Sequence, residues 1–263
     1  MIIDGRKIAQ KILDEAKDNL QKSGKKLRLA AVLVGDNPEL KKFLELKRKA
    51  AEGIGIEFKQ YDFPQNITDN ELRDELDKIC EEKMIHGVII ELPLLIHLNT
   101  QYLLNTIPEE KDIDVLSEKS QDKFFSGKSK VLPPAVEAVR QIFEEYGIEP
   151  KDKAAAVFGQ GLLVGKPVSH WLAGQGAEVS IIDENTEEPD KISREADIIV
   201  SGVGRPDLIN DTMVKDGATV VDFGKDVDFE PVSKKAGLIT PPVGGVGPIV
   251  VAAVLKNLVD LWS

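Results

Sequence analysis

The sequence predicts an α/β protein of two domains. Three observations carry this. Short apolar runs alternate with segments of helical period along most of the chain, the pattern of parallel strands joined by helices. A glycine-rich turn at 159–165 lies between one such run and a helix. A polar and then Pro-rich stretch, "SEKSQDKFFSGKSKVLPP" at 117–134, interrupts the alternation and reads as a boundary between units.

In chain order, "ILDEAKDNLQKSG" reads as a helix stopped by Gly24, and "RLAAVLVG" as a buried strand. The lysine-rich segment "NPELKKFLELKRKAAEGIGI" is a helix. "GIEFKQYDF" follows as a strand, "DNELRDELDKICEEK" as a helix opened by Asp69 or Asn70, and "HGVIIELPL" as a strand. Beyond the boundary, "AVEAVRQIFEEYGI" is a helix. The next strand candidates are "KAAAVFG", "EVSIID", "DIIVSGVG", "TVVDFG" and the short "LIT". The closing "PIVVAAVLKNLVDLW" has an apolar helical stripe that must pack on another element, expected back across the domain boundary.

Composition excludes several classes. The 263 residues carry a formal net charge of -11, which argues against a nucleic-acid backbone as partner. No apolar run is long enough for a membrane span, and the charged "MIIDGRKIAQKIL" start argues against export, so the expected location is the cytoplasm. The single cysteine, Cys80, allows no internal disulfide. His86, His97 and His170 have no metal-ligand spacing, so no metal is expected.

"AAAVFGQGLLVGKPVSHWLAGQGAEVSIID" reads as a βαβ unit. Its turn, Gly159-x-Gly161-x3-Gly165, is one residue longer than the common dinucleotide fingerprint, and Lys166 and Pro167 open the helix. Glycines there let a backbone approach a pyrophosphate, and a helix N-terminus offers unpaired N–H groups. The alternative is a plain structural turn. Asp183 ends the second strand about two dozen residues on, where a carboxylate accepts from a ribose hydroxyl and repels a 2′-phosphate. That favours NAD over NADP, unless Asp183 merely begins a turn.

In the lysine-rich helix, Leu40, Phe43, Leu44, Lys47, Ala51 and Ile54 share one face at about 100° per residue. Lys41, Lys42, Arg48 and Lys49 fall towards the other side and read as solvated. Lys47 alone stands in the apolar stripe. It must snorkel, be paired, or serve a function.

Several blocks together resemble the methylenetetrahydrofolate dehydrogenase/cyclohydrolase family. "TPPVGGVGPIVVAAVL" is similar to its C-terminal T-P-V-P-G-G-V-G-P-M-T signature, and "VGDNPELKKFLELKRKAAEGIGI" to its V-G-x-N-P block. "GVIIELPL", "IPEEKDIDVLS", "FGQGLLVGKP" and "ADIIVSGVGRP" match further blocks, in the family order and over nearly the whole chain. The resemblance implies a three-layer N-terminal folate-binding domain at 1–120, completed by a helix at 247–263. It implies a Rossmann-like NAD(P)-binding domain at 130–242, with a cleft between the two. It further implies oxidation of 5,10-methylenetetrahydrofolate to the methenyl form, hydrolysis to 10-formyltetrahydrofolate, and a cytoplasmic homodimer. The dinucleotide is NADP in most bacterial members.

Carried over by position, the resemblance puts Lys47, Asp114, Glu91 and Phe43 at the chemistry, and Pro93, Gly244, Gly245 and Pro248 against the folate as well. It puts Gly159, Gln160, Gly161, Val164, Gly165, Lys166, Pro167, Asp183, Gly202 and Gly204 around the dinucleotide. The departures fall in these same places. Phe43 replaces a tyrosine, Glu91 a glutamine, Val115 a glycine and Gln160 an arginine. If Glu91 faces Lys47, a carboxylate engages the ammonium and makes it a poorer proton acceptor, which weakens hydrolysis more than hydride transfer. Val115 narrows or dries the pocket. Gln160 removes a cation for a 2′-phosphate. Two other readings compete: a paralogue acting as a ligand sensor or interaction protein, and an NAD-linked enzyme acting on another cyclic amine or pterin.

Overall fold

The computed structural model describes residues 1–262. The elements in chain order begin with α1 (Gly5–Ser23), β1 (Arg28–Val34), α2 (Pro38–Ile54), β2 (Glu57–Phe63), α3 (Asp69–Glu81) and β3 (Gly87–Ile90). Then come α4 (Thr100–Leu104), α5 (Glu118–Phe125), α6 (Pro134–Tyr146), β4 (Ala154–Phe158), α7 (Gly165–Gly174), β5 (Glu178–Ile182) and α8 (Pro189–Glu195). The chain closes with β6 (Ile198–Ser201), β7 (Thr219–Asp222), α9 (Phe229–Ser233), β8 (Leu238–Ile239) and α10 (Val246–Trp262).

The chain divides into two compact units, and the division passes through α1 and α10. One unit holds Gln10–Pro134 and the chain from Val251; the other holds Met1–Ala9 and Ala135–Val250. The first nine residues therefore lie with the C-terminal sheet and not with the N-terminal domain expected from the sequence. The reason is local pairing: Ile2 bridges Ile239 in parallel, and the Ile3 amide donates to the Ile239 carbonyl at 2.9 Å. These residues continue the sheet past β8, a pairing across more than two hundred residues that no local pattern signals.

In the first unit, three parallel strands lie in the order β2-β1-β3. The central strand β1 is buried except at Arg28, as expected when helices cover both faces. The core joins Ala16 and Leu20 of α1 with Leu29, Ala31 and Leu33 of β1. Leu40, Leu44, Ala51 and Ile54 of α2 pack there with Val254, Leu255, Leu258 and Val259 of α10. The start of α2 is fixed by Asn37, whose side chain accepts from the Glu39 amide, with Pro38 next in the first turn. Its end is fixed by Gly55 at φ 91, a left-handed conformation that needs glycine. Helix α3 opens at Asp69, one of the two residues expected, and is capped by Thr68 in a reciprocal box with Glu71.

The polar 117–134 stretch is not a bare linker. Ser117 caps α5, and Phe124 is buried. Nor is Arg48 simply solvated: its guanidinium lies 5.5 Å from the Phe58 ring centroid and donates to Gln60.

In the second unit, five parallel strands run in the order β5-β4-β6-β7-β8. The chain goes from β4 to β5 on one side, then crosses to β6 on the other. The carboxyl ends of β4 and β6 thus flank a topological switch point, where open α/β sheets bind ligands.

Candidate active site

Two groups of residues stand at strand ends. In the first unit, Lys47 on α2 and Glu91 just after β3 form an ion pair of 2.7 Å, with side chains 13% and 4% exposed. The helix places Lys47 there because Leu44 and Ala51, one turn either side, are buried in the core. Glu91 is held by its own amide, which donates to the Val32 carbonyl at 2.9 Å. A buried pair of this kind is stable only while both partners remain; removing either leaves an uncompensated charge.

Asp114 belongs to the same electrostatic site. Part of its surface reaches solvent, but it lies deep among protein atoms. Burial pushes its carboxyl from 3.8 up to about 7, opposed by the Lys47 ammonium and reinforced by the carboxylates of Glu91 and Asp112. Its loop is organised by Asp112, a residue the sequence reading passed over. That buried carboxylate accepts from the amides of Leu116 and Ser117 and from Ser117 Oγ at 2.7 Å. The clamp supports Val115, which is buried at φ 57, a strained conformation for a β-branched side chain. From α10, Asn257 adds bonds to the carbonyls of Ile113 and Leu132, at 2.9 and 2.8 Å.

The raised Asp114 carboxyl has a consequence for stability. The folded chain keeps a proton that the unfolded chain releases, so this group's contribution falls as pH rises from 3.8 to about 7. The Tm of Asp114→Asn is therefore expected to gain on that of the unaltered chain across this window. Parallel Tm curves for the two proteins would contradict the burial argument.

Phe43 does not share the burial of its helix face. It is 48% exposed, because its position lies at the edge of the stripe and Leu40 and Leu44 take the core contacts. Pro93 is also exposed. Gly244, Gly245 and Pro248 fall in the other unit, in the turn into α10 and its first residues. There the Gly245 carbonyl packs so closely on Gly5 that a Cβ at Gly5 would lie 1.7 Å from it.

In the second unit the turn after β4 is built for close backbone approach. Gly159 has φ 90, and a Cβ on Gly165 would stand 2.0 Å from the Gly159 carbonyl oxygen. At the N-terminus of α7 the Val164 side chain gives no cap, the Lys166 amide donates to the Gly161 carbonyl at 3.2 Å, Val168 donates to Val164 and Pro167 has no N–H, which leaves the Gly165 amide to meet an anion. Gly161 and Lys166 are exposed, Pro167 is buried, and Gln160 donates to the Gly159 carbonyl at 3.0 Å. Gly202 and Gly204 follow β6 across the switch point. Asp183 is exposed after β5, and its Oδ1 accepts from the Asn185 amide and Thr186 Oγ1 at 2.9 and 3.1 Å. It does begin a turn. That turn takes Oδ1, and Oδ2 keeps its acceptor capacity. These residues fit a dinucleotide: a glycine cradle at a switch point, with an uncapped helix N-terminus.

Known proteins agree with both halves of this description. Residues 3–114 match the profile for the tetrahydrofolate dehydrogenase/cyclohydrolase catalytic domain, and residues 133–263 that for its NAD(P)-binding domain. A bifunctional protein FolD of Nautilia profundicola is 39% identical, over 98% of this chain and 95% of its own length. The crystal structure of a bifunctional FolD methylenetetrahydrofolate dehydrogenase/cyclohydrolase from Campylobacter jejuni is 34% identical. It superposes with a TM-score of 0.94, over 99% of this chain and 98% of its own. A Trypanosoma brucei dehydrogenase-cyclohydrolase, complexed with NADP cofactor and inhibitor, is 30% identical with the same TM-score, over 99% and 96%. With both domain profiles matched and a relative of this identity covered nearly end to end, the chain belongs to the tetrahydrofolate dehydrogenase/cyclohydrolase family.

Proposed function

We propose that this chain oxidises 5,10-methylenetetrahydrofolate to 5,10-methenyltetrahydrofolate, prefers NAD as hydride acceptor, and hydrolyses the product to 10-formyltetrahydrofolate as the weaker of its two activities. The observation that carries this reading is the Lys47–Glu91 ion pair beside Asp114. The curated relatives are named bifunctional proteins and the Campylobacter jejuni structure a bifunctional enzyme, which leaves the sensor reading without support.

A bound nicotinamide dinucleotide would supply the hydride acceptor, held by the Gly159–Gly165 turn with the Gly165 amide, and by Gly202 and Gly204. The chain's own groups act on the folate. Loss of hydride leaves the N–C–N bridge of the substrate as a cation. Above about pH 7, where Asp114 is ionised, Glu91 and Asp114 set two carboxylates against one ammonium, an arrangement that favours positive charge developing on a bound ring. Hydrolysis needs more: water must lose a proton as it adds to the bridge carbon, and N5 must gain one as its bond to that carbon breaks. Lys47 is the candidate to carry these protons. Its Nζ is held at 2.7 Å by Glu91, and that bond must give way before Lys47 can serve the bridge. Phe43 keeps an aromatic ring next to Lys47 on α2 but has no hydroxyl to donate.

The preference for NAD is supported by Asp183 and by Gln160. It is supported further by the acidic run around Asp183, with Glu184, Glu187, Glu188 and Asp190 close behind. A 2′-phosphate adds negative charge where these carboxylates already concentrate it. A cytoplasmic homodimer completes the reading. Among the described residues no helix is long and apolar enough to cross a membrane. The edge strand β5 leaves Ser180 and Ile181 exposed without a proline or lysine to blunt pairing.

The test is initial-rate oxidation of methylenetetrahydrofolate with NAD and with NADP in separate assays, methenyl product being followed by absorbance. Turnover faster with NAD is expected. No turnover with either removes the folate reading, and faster turnover with NADP removes the reading of Asp183.

A further inference from the structure

The loop after β6 is anchored by a buried carboxylate, that of Asp226. Asp226 is fully buried, and its carboxylate accepts three short hydrogen bonds. Oδ2 takes Ser201 Oγ at 2.6 Å and the Val203 amide at 2.8 Å, and Oδ1 takes the Arg205 amide at 2.6 Å. Bonds from neutral donors to a carboxylate are among the stronger ones in proteins, and here two of them fix successive parts of one loop. Asp226 is itself placed by Asp222 at the end of β7, whose Oδ1 accepts from the Gly224 and Asp226 amides at 2.9 and 3.0 Å. The intervening turn is tight: a Cβ on Gly224 would lie 2.5 Å from the Asp226 carboxylate.

The loop so held is one side of the switch point. A Cβ on Gly202 would meet the Val164 side chain at 2.7 Å, and one on Gly159 would meet Val203 Cγ2 at 3.2 Å. The loop at 202–205 and the turn at 159–165 therefore interlock. A shift of the first displaces the backbone that cradles a pyrophosphate in the second.

We infer that Asp226 is a positioning residue for the dinucleotide, acting through the Ser201–Arg205 loop. The inference rests on the dinucleotide reading of this unit. In Asp226→Asn one carboxylate oxygen becomes an NH2 group, which loses the one bond at Oδ1 or the two at Oδ2 and leaves the remainder on a neutral acceptor. The dinucleotide Kd is expected to rise roughly 10-fold or more, while the folate KM stays within about twofold. Ser201→Ala removes one donor and leaves the carboxylate its two amides; a rise of roughly two- to threefold is expected. Because Ser201 acts through Asp226, the double variant should bind no worse than Asp226→Asn alone.

The measurements are isothermal titration with NAD and with NADP, folate KM from initial rates, and Tm for each protein. A selective rise in dinucleotide Kd supports the inference. An unchanged Kd in Asp226→Asn, or a rise in both constants together with a lowered Tm, overturns it. Should Asp226→Asn fail to fold, Ser201→Ala decides, and an unchanged Kd there overturns it equally. No heat from the unaltered protein with either dinucleotide overturns the dinucleotide reading itself, whatever the variants do.

Discussion

Lys47→Met is expected to lower hydrolysis of methenyltetrahydrofolate by roughly 10²- to 10⁴-fold, the range seen when a positioned acid–base group is lost. Oxidation should fall far less, because removing hydride from the bridge carbon needs no proton from Lys47. The helix supports this assignment before chemistry is considered. A lysine 13% exposed between buried neighbours is held by the Glu91 carboxylate 2.7 Å away. Methionine matches the stem and removes the charge, but it strands Glu91, and an unpaired buried carboxylate costs about 3–5 kcal/mol. The double variant Lys47→Met, Glu91→Gln removes that penalty and isolates the chemical loss. Glu91→Gln alone is the complementary probe. It frees the lysine from its charge pair, and hydrolysis should then rise roughly tenfold, equivalent to about 1.4 kcal/mol. Full hydrolysis in Lys47→Met would take Lys47 out of the mechanism, and no gain in Glu91→Gln would dissociate the ion pair from the weak second activity.

The sequence disclosed the pair because period and charge coincide there: one lysine stands where a helix otherwise buries leucine and alanine. Glu91 could be matched to it only through the family order, since 44 residues separate the two. Phe43 shows where periodicity fails. It marks a face but not how far the face is covered, and covering depends on the neighbours that Leu40 and Leu44 find first. Helix α5 was hidden for another reason. Its local composition is that of a loop, and the bonds that cap it run through Ser117 to the buried Asp112. Asp112 and Asp226 were missed together. A polar residue in a polar stretch looks solvated, and its burial is decided by backbone amides and carbonyls that carry no signal in side-chain chemistry. Where the chain joins distant segments, as at Ile2 and Ile239, even the strand pairing is silent in sequence.

The dinucleotide preference should be reversible by two substitutions. Asp183→Ser with Gln160→Arg is expected to shift the ratio of kcat/KM for NADP over NAD by roughly 10²-fold or more. The estimate follows from charge alone. At an effective dielectric of about 20, unit charges about 5 Å apart interact by about 3 kcal/mol, and exposure with salt reduces this to about 1–2 kcal/mol. One substitution removes a repulsion of that size and the other adds an attraction, and about 1.4 kcal/mol corresponds to a factor of ten. Asp183 ends the strand beside β4, and Gln160 stands in the turn that leaves β4, so both changes act at the same end of adjacent strands. The remaining carboxylates of the run, from Glu184 to Asp190, still oppose a phosphate. NADP turnover by the unaltered chain should therefore rise at higher ionic strength, which screens the repulsion, while that of the variant should fall to the extent that its gain rests on the added attraction. A pair of substitutions that weakens NAD without improving NADP would mean that Asp183 serves its turn and not the ribose. Opposite salt dependences of NADP turnover in the two proteins would assign the discrimination to positions 183 and 160, and the same rise with salt in both would mark the acidic run as the discriminating element.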